Sequence, residues 1–198
     1  MLQHTLLKRS PQLLRWYRTR LTLDWNRLQR YIPNRGSVLD VGCGVGSLDH
    51  ELGRARRGLR LLGIDVDAAN IELAEAYHAL PNVAFAHRDL ASIGGRFDCI
   101  MFCDVFHHVH PAEHADLLRA SEQRLDENGY LLIKDIERDR GQVSWLMDRY
   151  LSGCQDVYLH NCDELVNTVN EVLSVSWSEV HFRAPFPHYY ILARRRER

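Results

Sequence analysis

The sequence has no apolar run near the roughly 20 residues that a membrane-spanning helix needs. Its start, MLQHTLLKRSPQLLRWYRTR, lacks the order of charged, apolar and small residues that marks a secretory signal. A cytoplasmic protein is expected. Cysteine is scarce, with five in 198 residues: Cys43, Cys99, Cys103, Cys154 and Cys162. An odd number placed mostly in apolar segments argues against a disulfide framework and fits reduced, buried thiols. Internal repeats and low-complexity linkers are missing as well, and the length suits one substantial core. With 45% hydrophobic and 26% charged residues, the composition is that of an ordinary globular domain.

The net charge of −1 is unevenly spread. Residues 1 to 35 hold eight Lys or Arg against Asp24 alone, which leaves the remainder acidic. A basic segment of this kind suits an anionic substrate, an acidic carrier protein, a lipid headgroup or nucleic acid, and equally a solvated helix face.

Leu14, Tyr17, Leu21, Trp25, Leu28 and Ile32 recur every three or four positions and predict an amphipathic helix ending at Pro33. From Ser37 the pattern alternates. Strands are expected at 37–42, 59–65, 82–90, 97–105 and 129–136, with helices at 48–56, 68–80 and 111–125. Such alternation predicts an α/β fold, a doubly wound and mostly parallel sheet with helices on both faces. Near the end, Asn161 with Glu164 three residues on marks a capped helix. The last two strands, VSWSEVHFR and HYYILARR, are joined only by APFP. That link is too short for a crossover, so they complete a seven-stranded sheet as an antiparallel hairpin at one edge. Val143, Leu146, Met147, Tyr150 and Leu151 predict a short extra helix between Gly141 and Gly153.

The stretch VLDVGCGVGSL places three glycines directly after the first alternating strand. A bare turn there lets a ligand approach the backbone, and the helix start that follows offers unpaired amides. The dinucleotide fingerprint G-x-G-x-x-G is not met, since Gly42, Gly44 and Gly46 read G-x-G-x-G. A Lys-Ser or Lys-Thr pair after the glycines is also lacking, so the phosphate loop is absent. Asp40, two residues before Gly42, would repel a pyrophosphate and attract a cationic group.

With these residues the sequence resembles the class I S-adenosylmethionine-dependent methyltransferases, over about residues 36 to 195. The resemblance implies a turn, Gly42, Gly44 and Gly46, that holds the methionine part of S-adenosyl-L-methionine, with Asp40 near its ammonium. It further implies that Asp65, 19 residues after Gly46 in LLGIDVD, binds both ribose hydroxyls, with Val66 beside it. Asp89 in FAHRDL would accept from the adenine amino group with Leu90 beside the ring, and Cys103 would line the cofactor site. The strand FDCIMFCDVFHHV resembles the small-molecule branch of the family. One domain, 1–198, is then expected: a helical cap at 1–34, a cofactor-binding half at 36–136, a lid-like insertion at 138–158, and a helix with the edge hairpin at 160–195.

On strand four and just past it, Cys99, Cys103, His107, His108, His110 and His114 invite a zinc reading. The two cysteines lie on a strand buried on both faces, so core packing is expected and no metal. His107 and His108 sit where the family presents the transferred methyl. With Asp104 they are the candidate catalytic residues, as a base for a phenol, hydroxyl or carbon acid. Asp135 in IKDIE is a second-rank candidate, or simply a turn residue.

The place after strand four reads CDVF rather than the Asn/Asp-Pro-Pro-aromatic run of nucleic-acid amino methyltransferases, and Cys103 lacks the preceding Pro of cytosine C5 enzymes. Nucleic acid is therefore disfavoured as a partner. Trp16, Tyr17, Trp145 and Tyr150, with Met147, would form an apolar cover rimmed by arginines, suited to an aromatic, quinone-like or acyl substrate with an anionic end. The expected activity is methyl transfer to O, C or N of a small molecule. An RNA or protein methyltransferase recruited through the basic N-terminus is the alternative, and a binding module that keeps the fold without catalysis a third.

Overall fold

The computed structural model describes residues 24–138, 157–183 and 186–196. The expected helix between Gly141 and Gly153 lies outside them, as does the part before Asp24 of the helix expected to run unbroken from Leu14 to Ile32; Asp24 is extended and interrupts that helix. Asp24 accepts from the amide of Arg27 at 3.0 Å and starts α1, Trp25–Tyr31. The central elements are β1 (Arg35–Val41), α2 (Ser47–Ala55), β2 (Gly58–Asp65), α3 (Ala68–His78), β3 (Val83–His87) and β4 (Phe97–Cys103). The chain continues through α4 (His114–Arg124), β5 (Leu125–Ile136), α5 (Cys162–Val172), β6 (Ser174–Arg183) and β7 (Phe186–Arg194). Among the described residues no helix is long and apolar enough to cross a membrane.

The seven strands lie in the order β3-β2-β1-β4-β5-β7-β6. The first five run parallel, and β7 pairs antiparallel with both β5 and β6. The expected edge hairpin is present, and Arg183 pairs with Phe186. The order reverses between β1 and β4, which opens the crevice where ligands of such sheets bind. Local signals placed most boundaries. Asn161 and Glu164 form the reciprocal cap of α5, with Glu164 N donating to Asn161 Oδ1 at 2.9 Å. The helix expected from Pro111 instead opens as a 3₁₀ turn, Pro111–Glu113, because the His110 ring accepts from Ala112 N and holds that first turn apart from α4. β3 stops at His87, two residues short of Asp89, since the next backbone donor to β2, Arg88 N, ends the pairing at Asp65 O.

Alternation along the strands sorts side chains to two buried faces. Leu39, Val41, Ile64, Ile100, Phe102, Leu131, Ile133 and Ile191 pack against Leu118 of α4 and Leu165 and Val169 of α5. Val38, Leu61, Cys99, Met101, Leu132 and Tyr190 pack against α1, α2 and α3 through Leu28, Leu48, Leu52, Ile71 and Ala74. Each large side chain so buried contributes about 1.5–3 kcal/mol. Asp40 lies between Leu39 and Val41 and therefore faces the second layer, toward α2. α1 is tied to the far edge of the same layer. The Tyr31 ring lies 4.8 Å from that of Trp177 and 5.9 Å from that of Tyr190, and Tyr130 donates its hydroxyl to Tyr31 O at 2.5 Å.

Candidate active site

The glycine turn caps the carboxyl end of β1. Gly42, Gly44 and Gly46 all have positive φ, at 76°, 56° and 76°, a region costing a residue with a Cβ about 1–2 kcal/mol. The surroundings differ. A Cβ on Gly46 would lie 2.4 Å from the Phe85 ring, whereas one on Gly44 would meet nothing within 4 Å. Gly46 is bare because the core presses on it; Gly44 is bare beside open space. The turn is braced from β2: Gly42 N and Cys43 N donate to Ile64 O, and Gly44 N donates to Asp65 Oδ2 at 2.8 Å. Asp65 Oδ1 accepts from Asp67 N at 2.8 Å, so its carboxylate is held at the lip of the turn. Val66, beside it, is 75% exposed.

Asp89 is exposed and caps the short 3₁₀ turn Leu90–Ser92. Its carboxyl is held below the usual range by its hydrogen bonds with Ser92, and Leu90 is buried against the core. Cys103 ends β4, half-buried, and burial pushes its thiol well up. The four described cysteines are unbridged thiols. Burial raises Cys43 far above its usual value, Cys99 to about 12 and Cys162 to about 11, so all stay protonated near neutrality.

Asp40 is 2% exposed, and it faces Asp49 of α2, which is fully buried. Burial, followed by the charge of Asp49, pushes Asp40 well above the carboxylate range. Burial raises Asp49 to about 7, against the lowering effect of a hydrogen bond with Asp40. The sequence reading missed Asp49. The signal was present, since Leu48 and Leu52 bracket it on the buried side of α2, where an acid is out of place.

A second group of charged side chains closes the other side of the crevice. Asp104 follows β4 at φ 60°, a left-handed conformation rare outside glycine, and its amide donates to Lys134 O at 2.8 Å. Fully buried Lys134 places Nζ 2.7 Å from both Asp104 oxygens, and His188 Nε2 lies 3.7 Å from Oδ1. His107, also buried, sets Nδ1 2.5 Å from Asp135 Oδ1, and its amide donates to Asp135 Oδ2 at 3.2 Å. Burial alone would raise the Asp135 carboxyl, but the charge and hydrogen bond of His107 hold it below the usual range. The His108 ring centre lies 3.9 Å from that of His107, tilted at 50° to it, and His108 is exposed. Asp135, ranked second from sequence, thus orients His107. Lys134 and His188 were not foreseen, although a lone Lys in the apolar run YLLIKDI is a visible anomaly.

Among the described residues, the potential metal-ligating atoms that converge within 4.8 Å belong to Asp104, His107 and Asp135, not to the cysteines. The ammonium of Lys134 already sits against Asp104. Trp16, Tyr17, Trp145 and Tyr150 lie outside the described residues, so the expected apolar cover has no structural account.

A family model described as "Methyltransferase domain" matches residues 13–172. The chain belongs to the methyltransferase-domain family. Among relatives of this methyltransferase domain, a "Ubiquinone biosynthesis O-methyltransferase" of Bartonella tribocorum is 28% identical over 136 residues, 65% of this chain and 53% of that protein. One of the same name from Mesorhizobium japonicum is 35% identical over 109 residues, 52% of this chain and 43% of that protein. The chain thus spans about half the length of these relatives. Among solved structures, a magnesium protoporphyrin IX methyltransferase from Synechocystis with bound SAH matches with a TM-score of 0.66 at 22% identity, covering 87% of this chain and 79% of that one. An S-adenosylmethionine-dependent methyltransferase from Mesorhizobium loti matches with a TM-score of 0.69 at 17% identity, covering 87% of this chain and 97% of the other. These two likenesses establish the fold.

Proposed function

We propose that this domain is an S-adenosyl-L-methionine-dependent methyltransferase acting on a hydroxyl oxygen of a small, aromatic or quinol-like molecule. The observation that carries this reading is the braced turn beside β1: open space at Gly44, with Asp65 held at its lip and Asp40 beneath. Gly42, Gly44 and Gly46 would hold the methionine tail of the cofactor, with Asp40 as the partner of its ammonium. Asp65 would take the ribose hydroxyls, Val66 and Leu90 would flank the adenine, Asp89 would accept from its amino group, and Cys103 would line the sulfur side. Transfer to oxygen is favoured over carbon or nitrogen by the names of the relatives. Those names support neither a carrier-bound acceptor nor an RNA or protein one.

Bound S-adenosyl-L-methionine supplies an electrophilic methyl whose leaving group is a neutral thioether, so alignment of the acceptor is the chain's main task. A hydroxyl acceptor also needs its proton removed. With Asp135 fixing its ring, His107 supports His108 by a tilted ring contact, and His108, the exposed imidazole, takes that proton. Asp104, paired with Lys134, would line the sulfonium side of the site. The substrate is gripped by Trp16, Tyr17, Trp145 and Tyr150, and the protein works in the cytoplasm.

Calorimetric titration with S-adenosylmethionine and S-adenosylhomocysteine tests the cofactor. Asp65→Ala should weaken binding about 100-fold, the loss of two charge-assisted hydrogen bonds. Unchanged affinity would overturn the assignment. With a panel of catechols and quinols as acceptors, His108→Ala should lower kcat by about 10²–10⁴-fold while leaving cofactor affinity as it was. Undiminished turnover would remove His108 as the base.

A further inference from the structure

Three carboxylates converge beneath the glycine turn from three elements: Asp40 from β1, Asp49 from α2 and Asp65 from β2. Asp65 is satisfied by backbone amides. The other two are not. No described N–H or O–H donates to Oδ1 of Asp40 or to either oxygen of Asp49, although all three atoms are shut off from solvent. Buried oxygens of this kind are costly when unmatched, and more so when charged. Two ionised carboxylates cannot bond to one another, but a carboxylic acid can donate to a carboxylate, so a single shared proton satisfies the pair and removes half its charge.

Apart from the backbone amide of Asp49, which lowers its carboxyl, the groups facing the pair offer no relief. Asp65 acts on Asp40 with the same sign, and the thiols of Cys43, Cys99 and Cys103 that line the site from the turn and β4 are protonated. Lys134 reaches Cys103, but its charge is taken up by Asp104. A cation arriving at the turn would therefore meet an acid pair with no counter-charge of its own.

We infer that Asp49 shares one proton with Asp40 and that this proton leaves to solvent when a cationic group settles beside Asp40, which couples seating of the cofactor's amino-acid tail to proton release. The inference rests on the tail lying at the glycine turn. Asp49 acts on the ligand through Asp40 and is a positioning residue. The balance is simple: a pair of charge −1 with one proton becomes a pair of charge −2 against one ammonium, and one proton goes to buffer.

The test is calorimetric titration of the full chain with S-adenosylhomocysteine, which keeps the tail, between about pH 5.5 and pH 7.5. Runs in phosphate and in imidazole buffer, whose ionisation enthalpies differ, give the protons released. Affinity should rise by up to about tenfold per pH unit, with up to about one proton released per ligand. Asp49→Asn, whose amide donates to Asp40 without titrating, should flatten the profile and release no proton. The ligand's own amino group titrates alike with both proteins and drops out of their ratio. A flat profile without proton release in the native protein overturns the inference, and this measurement stands even if the variant does not fold. So does an unchanged slope in Asp49→Asn. Asp65→Ala separates the two failures. If it binds as tightly as the native protein, the placement of the tail is wrong; if it binds weakly while Asp49→Asn keeps the native slope, only the shared proton is wrong.

Discussion

The two sides of the crevice between β1 and β4 treat charge in opposite ways. Under the glycine turn, Asp40, Asp49 and Asp65 gather with the same sign. Across from them Asp104 meets Lys134 and His188, and Asp135 meets His107. A self-matched cluster holds its own geometry and has little to gain from a ligand. An unmatched one is complete only when something positive arrives, so the acid side reads as the receiving surface and the paired side as the frame.

Breaking the frame should give the largest effect. Lys134→Met leaves the Asp104 carboxylate beside a buried apolar site, and removing one partner of such a pair costs about 3–5 kcal/mol. Urea unfolding should show the loss, and adding Asp104→Asn should recover much of it. A double variant as unstable as the single one would mean that Lys134 matters for packing and not for charge. Next comes Asp135→Asn, expected to cost about 1–3 kcal/mol at neutral pH. Because the Asp135 carboxyl lies below its usual value in the fold, its contribution is present above the ordinary carboxylate range and lost as pH falls through the lower folded value. The gap between variant and native protein should therefore close on acidification.

The smallest effect should carry the opposite sign. Asp49 lies above its ordinary value in the ligand-free fold, so stability is highest below the usual carboxylate range and is lost as pH rises toward about 7. Asp49→Asn should then melt higher than the native protein at about pH 8, by an amount on the order of 1 kcal/mol, and not above it at about pH 4. A variant that melts lower at both would place Asp49 with the frame.

What could be read from the sequence was whatever a short segment determines by itself. The spacing of Gly42, Gly44 and Gly46 sets a turn, Asn161 with Glu164 sets a helix start, and the four residues between the last two strands allow only a hairpin. Asp65 was legible because β2 pairs with β1 in register, which carries its end to the turn. The frame was not. Asp104, Lys134 and His188 come from three segments, and their meeting depends on β5 lying between β4 and β7. Periodicity marked those strands as buried but says nothing of which charge would sit opposite which. Asp49 failed for a different reason: its first-turn position masked the anomaly of an acid between Leu48 and Leu52, and only the alternation of Leu39, Asp40 and Val41 shows what it faces.

The seating of Tyr31 on Trp177 and Tyr190 bears on how small this domain can be made. A fragment trimmed to begin at the first strand would uncover two large rings on the hairpin and orphan the hydroxyl of Tyr130. A piece able to fold alone should therefore keep Asp24 to Tyr31, since the edge hairpin rests on a segment that precedes the first strand of the sheet.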